Sequence, residues 1–125
     1  MAPSRPAALI VEDQPFVGLV ASDILRESGF ETFHAYDVDG AEQLLQEHPE
    51  IEVVVTDAKL HGPMDGIELC RRVSLERPDV QLVVTSAGQE LAGTSVPKGA
   101  RMLRKPYASG ELRTLVASKA FLADA

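Results

Sequence analysis

The chain has 125 residues, which at roughly 100–200 residues per domain allows one domain and leaves no room for a second. Hydrophobic residues make up 45% and charged residues 25%, values typical of a globular protein, so the disordered, collagen-like and low-complexity classes are excluded. Lys and Arg number 12 against 19 Asp and Glu, and the net charge of −7 argues against binding to nucleic acid.

Cysteine content and hydropathy indicate the compartment. Cys70 is the only cysteine, so an internal disulfide is excluded and a reducing compartment is favoured. No apolar run approaches the roughly 20 residues of a membrane span, and the N-terminal residues lack the apolar core of a secretory signal. We therefore expect a cytoplasmic protein that binds neither a membrane nor nucleic acid.

Short apolar runs alternate with segments of helical periodicity along the chain. Strands are predicted at 8–11, 31–35, 51–57, 80–85 and 101–104, of which 31–35 is more polar than the others in the first part of the chain. The periodic segments predict helices around 17–24, 41–45, 67–73 and 112–116, and a short or irregular helix over 89–98. Asp37 or Asp39 is expected to cap the second helix and Ser109 the last one. The first helix is expected to bury Val17, Val20, Ala21 and Ile24.

The alternation of strands and helices predicts the fold class. A strand followed by a helix, five times over, implies a parallel sheet with right-handed crossovers and helices on both faces. For five strands the usual doubly wound order is 2-1-3-4-5, which leaves the polar second strand at an edge. We therefore expect an α/β fold, with one domain over 1–125 and a loose N-terminal arm over 1–6.

Polar residues follow the predicted strands at the points where these strands end. Glu12 and Asp13 follow the first strand, Asp57 ends the third, Ser86 follows the fourth, and Lys105 follows the fifth. Sites in open α/β sheets form outside the carboxyl ends of the strands. Because strands 1 and 3 are neighbours in the expected order, three carboxylates should meet there. Their repulsion is expected to raise the pKa of each and to destabilise the fold.

A divalent cation would relieve this repulsion. The ligands on offer are hard oxygens without a His or Cys cluster, which favours Mg²⁺ over zinc. Each of these residues taken alone is more often a helix cap or a turn residue. Their joint occurrence at the ends of the inner strands favours one shared site.

These residues and the motifs around them resemble the receiver domain of bacterial two-component response regulators. The resemblance runs from Ala8 to about Ala123 and rests on four segments, which are Leu9-Ile10-Val11-Glu12-Asp13, Val54-Val55-Thr56-Asp57 with Met64-Asp65-Gly66, Val83-Val84-Thr85-Ser86-Ala87, and Lys105-Pro106. It implies a flavodoxin-like receiver fold and the function of a phosphorylation switch.

The resemblance also implies a role for each matching residue. Asp57 would accept a phosphoryl group from a sensor histidine kinase or a histidine phosphotransfer protein. Mg²⁺ would be held by Glu12, Asp13 and Asp57, together with the backbone carbonyl of Lys59. Lys105 would pair with a phosphoryl oxygen. A hydroxyl at the end of the fourth strand would then move towards the phosphoryl group.

Two hydroxyls compete for that last role, and one usual feature of the family is missing. Ser86 is followed by the small Ala87, as in the family, whereas Thr85 is followed by a serine, so we expect Ser86 to be the switch. Met102 stands three residues before the lysine, where receivers usually carry Tyr or Phe. Without that aromatic residue, coupling is expected to depend on Ser86 and on residues 89–98.

The loop after Asp57 departs from the family pattern as well. It is one residue longer than usual and has Leu60-His61 where the family has Met-Pro. His61 is expected to be a solvent-exposed loop residue, with a pH-sensitive or partner-contacting role as the alternative. The side chain of Lys59 occupies a position that tunes phosphoryl hydrolysis in the family.

The expected function is a switch that, once phosphorylated, binds a downstream protein or relays the phosphoryl group. Met1 and the tail 121–125 favour a stand-alone regulator, with a receiver fragment of a longer regulator or hybrid kinase as the alternative. A Mg²⁺-dependent aspartyl-phosphate phosphohydrolase is disfavoured because Lys59, two residues after Asp57, replaces the expected general acid. A flavodoxin-like nucleotide binder is disfavoured because no Gly-rich loop follows the first strand.

Overall fold

The computed structural model describes residues 5–62, 64–87 and 96–124, with side chains described up to residue 116. The strands are β1 (Ala7–Val11), β2 (Glu31–Ala35), β3 (Ile51–Asp57), β4 (Gln81–Ser86) and β5 (Arg101–Arg104). The helices are α1 (Pro15–Glu27), α2 (Val38–Glu47), α3 (Gly66–Glu76) and α4 (Ser109–Asp124). Most of the helix expected over 89–98 and most of the arm expected over 1–6 lie outside the described residues.

The five strands form one parallel sheet in the order β2-β1-β3-β4-β5. This confirms the doubly wound order predicted from the sequence, with β2 at an edge. The register aligns Val11 with Thr56 and Asp57 with Thr85. The inner strands β1, β3 and β4 therefore end close together on the same side of the molecule.

Alternate residues of the inner strands enter two separate cores, one on each face of the sheet. Val54 and Val84 pack with buried residues of α2 and α3, while Val55 and Val83 pack with buried residues of α1 and α4. All five residues of β1 are buried. Burial of one such Val, Leu or Ile side chain contributes roughly 1.5–3 kcal/mol, which explains why the inner strands are continuous apolar runs.

Two aspartates fix the starts of α2 and α3. The Asp37 carboxylate accepts a hydrogen bond from the Gly40 backbone N–H at 2.8 Å, so Asp37 rather than Asp39 is the cap. The Asp65 carboxylate accepts from the Glu68 backbone N–H at 2.9 Å. Each cap satisfies a donor that the helix itself cannot pair.

Two local expectations are wrong. Ser109 is the first helical residue of α4 rather than its cap; the Ala108 backbone N–H donates to the Glu111 carboxylate at 3.0 Å instead. In α1, Val20 is exposed and Leu25 is buried. The helix thus turns a slightly different face to the sheet than its apolar spacing predicts. In the described part of the chain, no helix combines the length and the apolarity that crossing a bilayer would require.

Arg77 ties three segments together at the end of the sheet where the strands begin. Its guanidinium donates to the backbone carbonyls of Leu45 at 3.3 Å, Pro49 at 2.8 Å and Ile51 at 2.7 Å. These carbonyls belong to the end of α2, the following loop and the first residue of β3. One cation therefore satisfies acceptors that have no partner inside a helix.

Replacement of Arg77 by glutamine should lower the free energy of unfolding by about 2 kcal/mol, because charge-assisted hydrogen bonds are lost and their carbonyls stay partly buried. Urea denaturation measures the change. The control is Arg26→Gln, since Arg26 makes an exposed pair with Asp23 on α1 that should matter little. Equal stability of the two variants would show that the three carbonyls do not depend on Arg77.

Candidate functional site

Three carboxylates meet at the edge of the sheet where the inner strands end. Glu12 and Asp13 follow β1, Asp57 ends β3, and one carboxylate oxygen of each lies within 4.8 Å of the others. Glu12 is buried, and the other two are half-buried. The neighbouring positions of β1 and β3 produce this cluster, as the sequence predicts.

Lys105 supplies the balancing positive charge from the residue that follows β5. Its Nζ lies 2.9 Å from Glu12 Oε1 and 3.1 Å from Asp57 Oδ2. Both contacts have hydrogen-bond length, and the lysine side chain is about one quarter exposed. The lysine thus joins an acidic residue of β1 to the carboxylate of β3.

The environment shifts the pKa values of this cluster in different directions. Burial raises the pKa of Glu12, and the hydrogen bond from Lys105 offsets only part of the rise. Burial opposes the charged form of Lys105, but its hydrogen bonds to Glu12 and Asp57 outweigh burial and raise the pKa of the lysine. Burial thus disfavours the charged form of Glu12, while the two carboxylates favour the charged form of Lys105.

The expectation that repulsion raises the pKa of each carboxylate is wrong for Asp13. Burial, the largest single effect, would raise the pKa of Asp13, but hydrogen bonds with His61 and Glu12 and the electrostatic attraction of His61 together outweigh burial and lower it. For Glu12 the predicted direction is right, although burial is the main cause and repulsion from Asp57 a minor one. The loop after β3 therefore brings in a partner that the strand ends alone do not provide.

That partner, His61, contacts Oδ2 of Asp13 through its Nδ1. Its side chain is 92% exposed, as expected for a loop histidine, yet it faces the acidic cluster. The extra residue in this loop was the one sequence signal for the contact. A second histidine, His34 of β2, places its Nε2 3.0 Å from the Glu12 backbone carbonyl, and nothing in the sequence pointed to it.

A cavity of about 320 Å³ opens beside the cluster. Its lining includes Asp13, Asp57, Lys59, Ala87 and Lys105. At about 30 Å³ per water molecule, the space holds roughly ten water-sized groups. A hydrated cation and a small anion such as a phosphoryl group therefore fit together in it.

Of the two candidate hydroxyls, Thr85 is aligned with Asp57 in the strand register and donates to the Thr56 carbonyl at 3.5 Å. Ser86 is buried, and its backbone carbonyl accepts the Lys105 N–H at 2.7 Å. Ser86 is therefore linked to Lys105 through the main chain, and the preference for Ser86 as the switch stays a prediction. The same holds for the Lys59 carbonyl as a ligand.

Gly66 is a functional position that the sequence showed only as part of a turn-rich motif. A Cβ added there would lie 1.8 Å from the Asp57 carbonyl oxygen and 2.7 Å from Thr56 Oγ1. Only glycine allows α3 to begin this close to the end of β3. The residue therefore helps to fix the backbone that carries Asp57.

Replacement of Lys105 by methionine should destabilise the cation-free protein by about 2 kcal/mol, because two carboxylates lose their partner in a partly exposed site. Adding Glu12→Gln to this variant should restore about 1 kcal/mol, since it removes the buried charge that Lys105 had balanced. Urea denaturation in a chelating buffer gives both values.

The exposed Lys98, changed to methionine, is the control and should leave stability nearly unchanged. If the double variant is no more stable than Lys105→Met alone, the ion pair between Lys105 and Glu12 does not hold this edge of the sheet together.

The chain is similar to known proteins in both sequence and fold. The family model described as "Response regulator receiver domain" matches residues 8–117. Sporulation initiation phosphotransferase F of Bacillus subtilis is 28% identical over 112 residues, covering 86% of this chain and 88% of that protein. Response regulator receiver protein CpdR of Brucella abortus is 30% identical over 111 residues, with 86% and 88% covered.

Solved structures that are similar to this chain are also receiver proteins. A response regulator receiver protein from Sinorhizobium medicae superposes with a TM-score of 0.79 at 28% identity. The alignment covers 90% of this chain and 91% of that one. The similarity therefore extends over about nine-tenths of both chains.

Proposed function

The chain belongs to the family of response regulator receiver domains, and on that premise we propose that Asp57 is the residue that accepts the phosphoryl group. Receiver domains are phosphoacceptors in signalling, and membership of the family gives this chain the same general function. The observation that supports Asp57 as the accepting residue is its position. Its carboxylate pairs with Lys105, has an oxygen within 4.8 Å of oxygens of Glu12 and Asp13, and lines the cavity beside them.

The proposed reaction transfers a phosphoryl group from a phosphohistidine to Asp57. A carboxylate oxygen of Asp57 forms the new O–P bond, the N–P bond of the donor breaks, and its electron pair returns to the imidazole. Nucleophile and donor are both anionic, so positive charge must lie near the phosphoryl oxygens. Lys105, already 3.1 Å from Asp57 Oδ2, is placed to pair with one of them.

A divalent cation fits the remaining donor set. The carboxylates of Glu12, Asp13 and Asp57 and the backbone carbonyl of Lys59 would hold Mg²⁺. This choice is supported by three hard oxygen ligands within 4.8 Å of one another and by the room for bound water. A Mg²⁺ ion bound there supplies charge neutralisation for the transferring group.

The phosphoryl donor is proposed to be a sensor histidine kinase or a histidine phosphotransfer protein. One relative is named a phosphotransferase, which supports a relay. An apolar groove of about 630 Å³ adjoins the cluster and is lined by side chains that include Phe16, Val20, Ile24 and Tyr107. Phe16 is 77% exposed, so a donor that docks there would cover it and approach Asp57.

We further propose that the chain acts in the cytoplasm as a single receiver domain and that its phosphorylated form binds a downstream protein. Two relatives of which the chain covers 88% support the single-domain form. A receiver fragment is the alternative, since the chain spans only 24% of NtrX of Azorhizobium caulinodans. The buried free thiol of Cys70 is consistent with a reducing compartment.

Replacement of Asp57 by asparagine should abolish phosphorylation, because an amide lacks the nucleophilic carboxylate while keeping its shape. Intact-mass spectrometry after incubation with Mg²⁺ and acetyl phosphate, or with a phosphorylated histidine kinase, measures the bound phosphoryl group. The matched control is Asp39→Asn at an exposed position of α2, which should be labelled normally.

Stoichiometry in the same assay separates a switch from a hydrolase. The wild-type chain should hold one phosphoryl group per molecule, whereas a phosphohydrolase would release many phosphates and retain none. Normal labelling of a correctly folded Asp57→Asn variant would assign the phosphoacceptor to another residue.

Removal of the Ser86 hydroxyl should separate phosphorylation from its conformational effect. Ser86→Ala leaves nucleophile and cation ligands intact, so it should still be labelled, but it should lose most of the response in β5, which Ser86 contacts through Lys105. Amide hydrogen exchange with and without beryllofluoride, a mimic of the aspartyl-phosphate, gives the readout. Thr85→Ala is the paired control; a lost response in this variant alone would identify Thr85 as the switch.

A further inference from the structure

His61 adds a nitrogen atom to a cluster otherwise built from oxygen ligands. Its Nδ1 contacts Oδ2 of Asp13, and its ring lines the cavity that also holds Asp57 and Lys105. The Asp13 side chain is 16% exposed against 92% for His61, so the imidazole lies on the solvent side of Asp13. A cation bound by Asp13 would therefore meet this ring at the mouth of the cavity.

The loop is built to bring His61 into that position. The residue lies four positions after the end of β3. Gly62 follows with φ +107°, a conformation that favours glycine and turns the chain immediately after His61. At the other end of the loop, Gly66 and the Asp65 cap hold the start of α3.

We propose that His61 becomes a direct ligand of the cation bound by Asp13, and that it biases the site towards first-row transition ions such as Mn²⁺ and Co²⁺. This inference rests on the proposed divalent site. Imidazole nitrogen binds these ions better than it binds Mg²⁺, which prefers oxygen and keeps its water. In the cation-free protein, the contact with Asp13 already places His61 Nδ1 beside the Asp13 carboxylate, the group with which it would share the metal ion.

Metal titration of the full chain tests the proposal with Mg²⁺, Mn²⁺ or Co²⁺ alone, by calorimetry at mildly alkaline pH, where imidazole offers a free nitrogen. Loss of a ligand should weaken Co²⁺ binding to His61→Asn by about tenfold or more and Mn²⁺ binding by less, since loss of even an outer-shell partner of a ligand costs 10–100-fold. Mg²⁺ binding should change less than about twofold, because this ion gains little from nitrogen.

Pulsed electron paramagnetic resonance on the Mn²⁺-loaded protein gives a direct readout of the ligand. The wild-type chain should show coupling of Mn²⁺ to an imidazole nitrogen, and His61→Asn should lose it. His48→Asn is the matched control, because His48 caps the end of α2 at the opposite edge of the sheet and stacks on Phe33. This variant should keep both the coupling and the affinities.

Two results would overturn the role of His61 while leaving the divalent site in place. One is metal binding without nitrogen coupling in the wild type. The other is a uniform gain of affinity for all three ions in His61→Asn, as expected if the imidazole only competes for Asp13. If none of the three ions binds the wild-type chain, this inference and the proposed divalent site both fail.

Discussion

One lysine holds this edge of the sheet together. Lys105 reaches two carboxylates from different strands, Glu12 Oε1 at 2.9 Å and Asp57 Oδ2 at 3.1 Å. Without this lysine, the three neighbouring acids would lose the ammonium group that pairs with two of them. Their contacts with His61 and with the backbone N–H groups of Gln14 and Lys59 would remain. The contact between Lys105 and Glu12 does not fully offset the burial of Glu12, because the pKa of this carboxyl stays raised. With one ammonium group among three carboxylates, the site keeps excess negative charge, which would attract a metal ion.

The rest of the fold keeps the partners of that lysine in place. Parallel pairing of β1 with β3 sets Glu12 beside Asp57, and the two cores on either face of the sheet hold those strands. Gly66 lets α3 begin against the Asp57 carbonyl, and Arg77 secures the first residue of β3 at its opposite end. The strand that carries Asp57 is therefore fixed at both ends, which suits the proposed nucleophile, because such a group must meet a donor in one orientation.

Sequence reasoning succeeded where a pattern has a single physical cause. The apolar runs at 8–11 and 51–57 bury side chains on both faces, so they predicted inner strands of a parallel sheet, and the carboxylates at their ends followed. It failed where the outcome depended on loop geometry. The contact between His61 and Asp13 needs a turn at Gly62 that composition alone does not specify, and it reverses the expected pKa shift of Asp13.

The buried face of α1 was also predicted only in part from the sequence. Val20 fits the apolar spacing of α1 and is nonetheless exposed, since the angle at which a helix meets the sheet decides which residues are covered. Its exposure beside Phe16 leaves an apolar surface next to Lys105 and the proposed phosphoacceptor. A mismatch between sequence pattern and burial thus coincides with the surface on which a donor protein is proposed to dock.

The central claim is that the phosphoryl group resides on Asp57, and chemical trapping tests it most directly. Borohydride reduces an aspartyl-phosphate to homoserine, which tandem mass spectrometry locates in the digested chain. After phosphorylation in the presence of Mg²⁺, homoserine is expected at position 57 and at no other aspartate. Homoserine at position 13, or a stable phosphoryl group that yields no homoserine, would contradict the assignment.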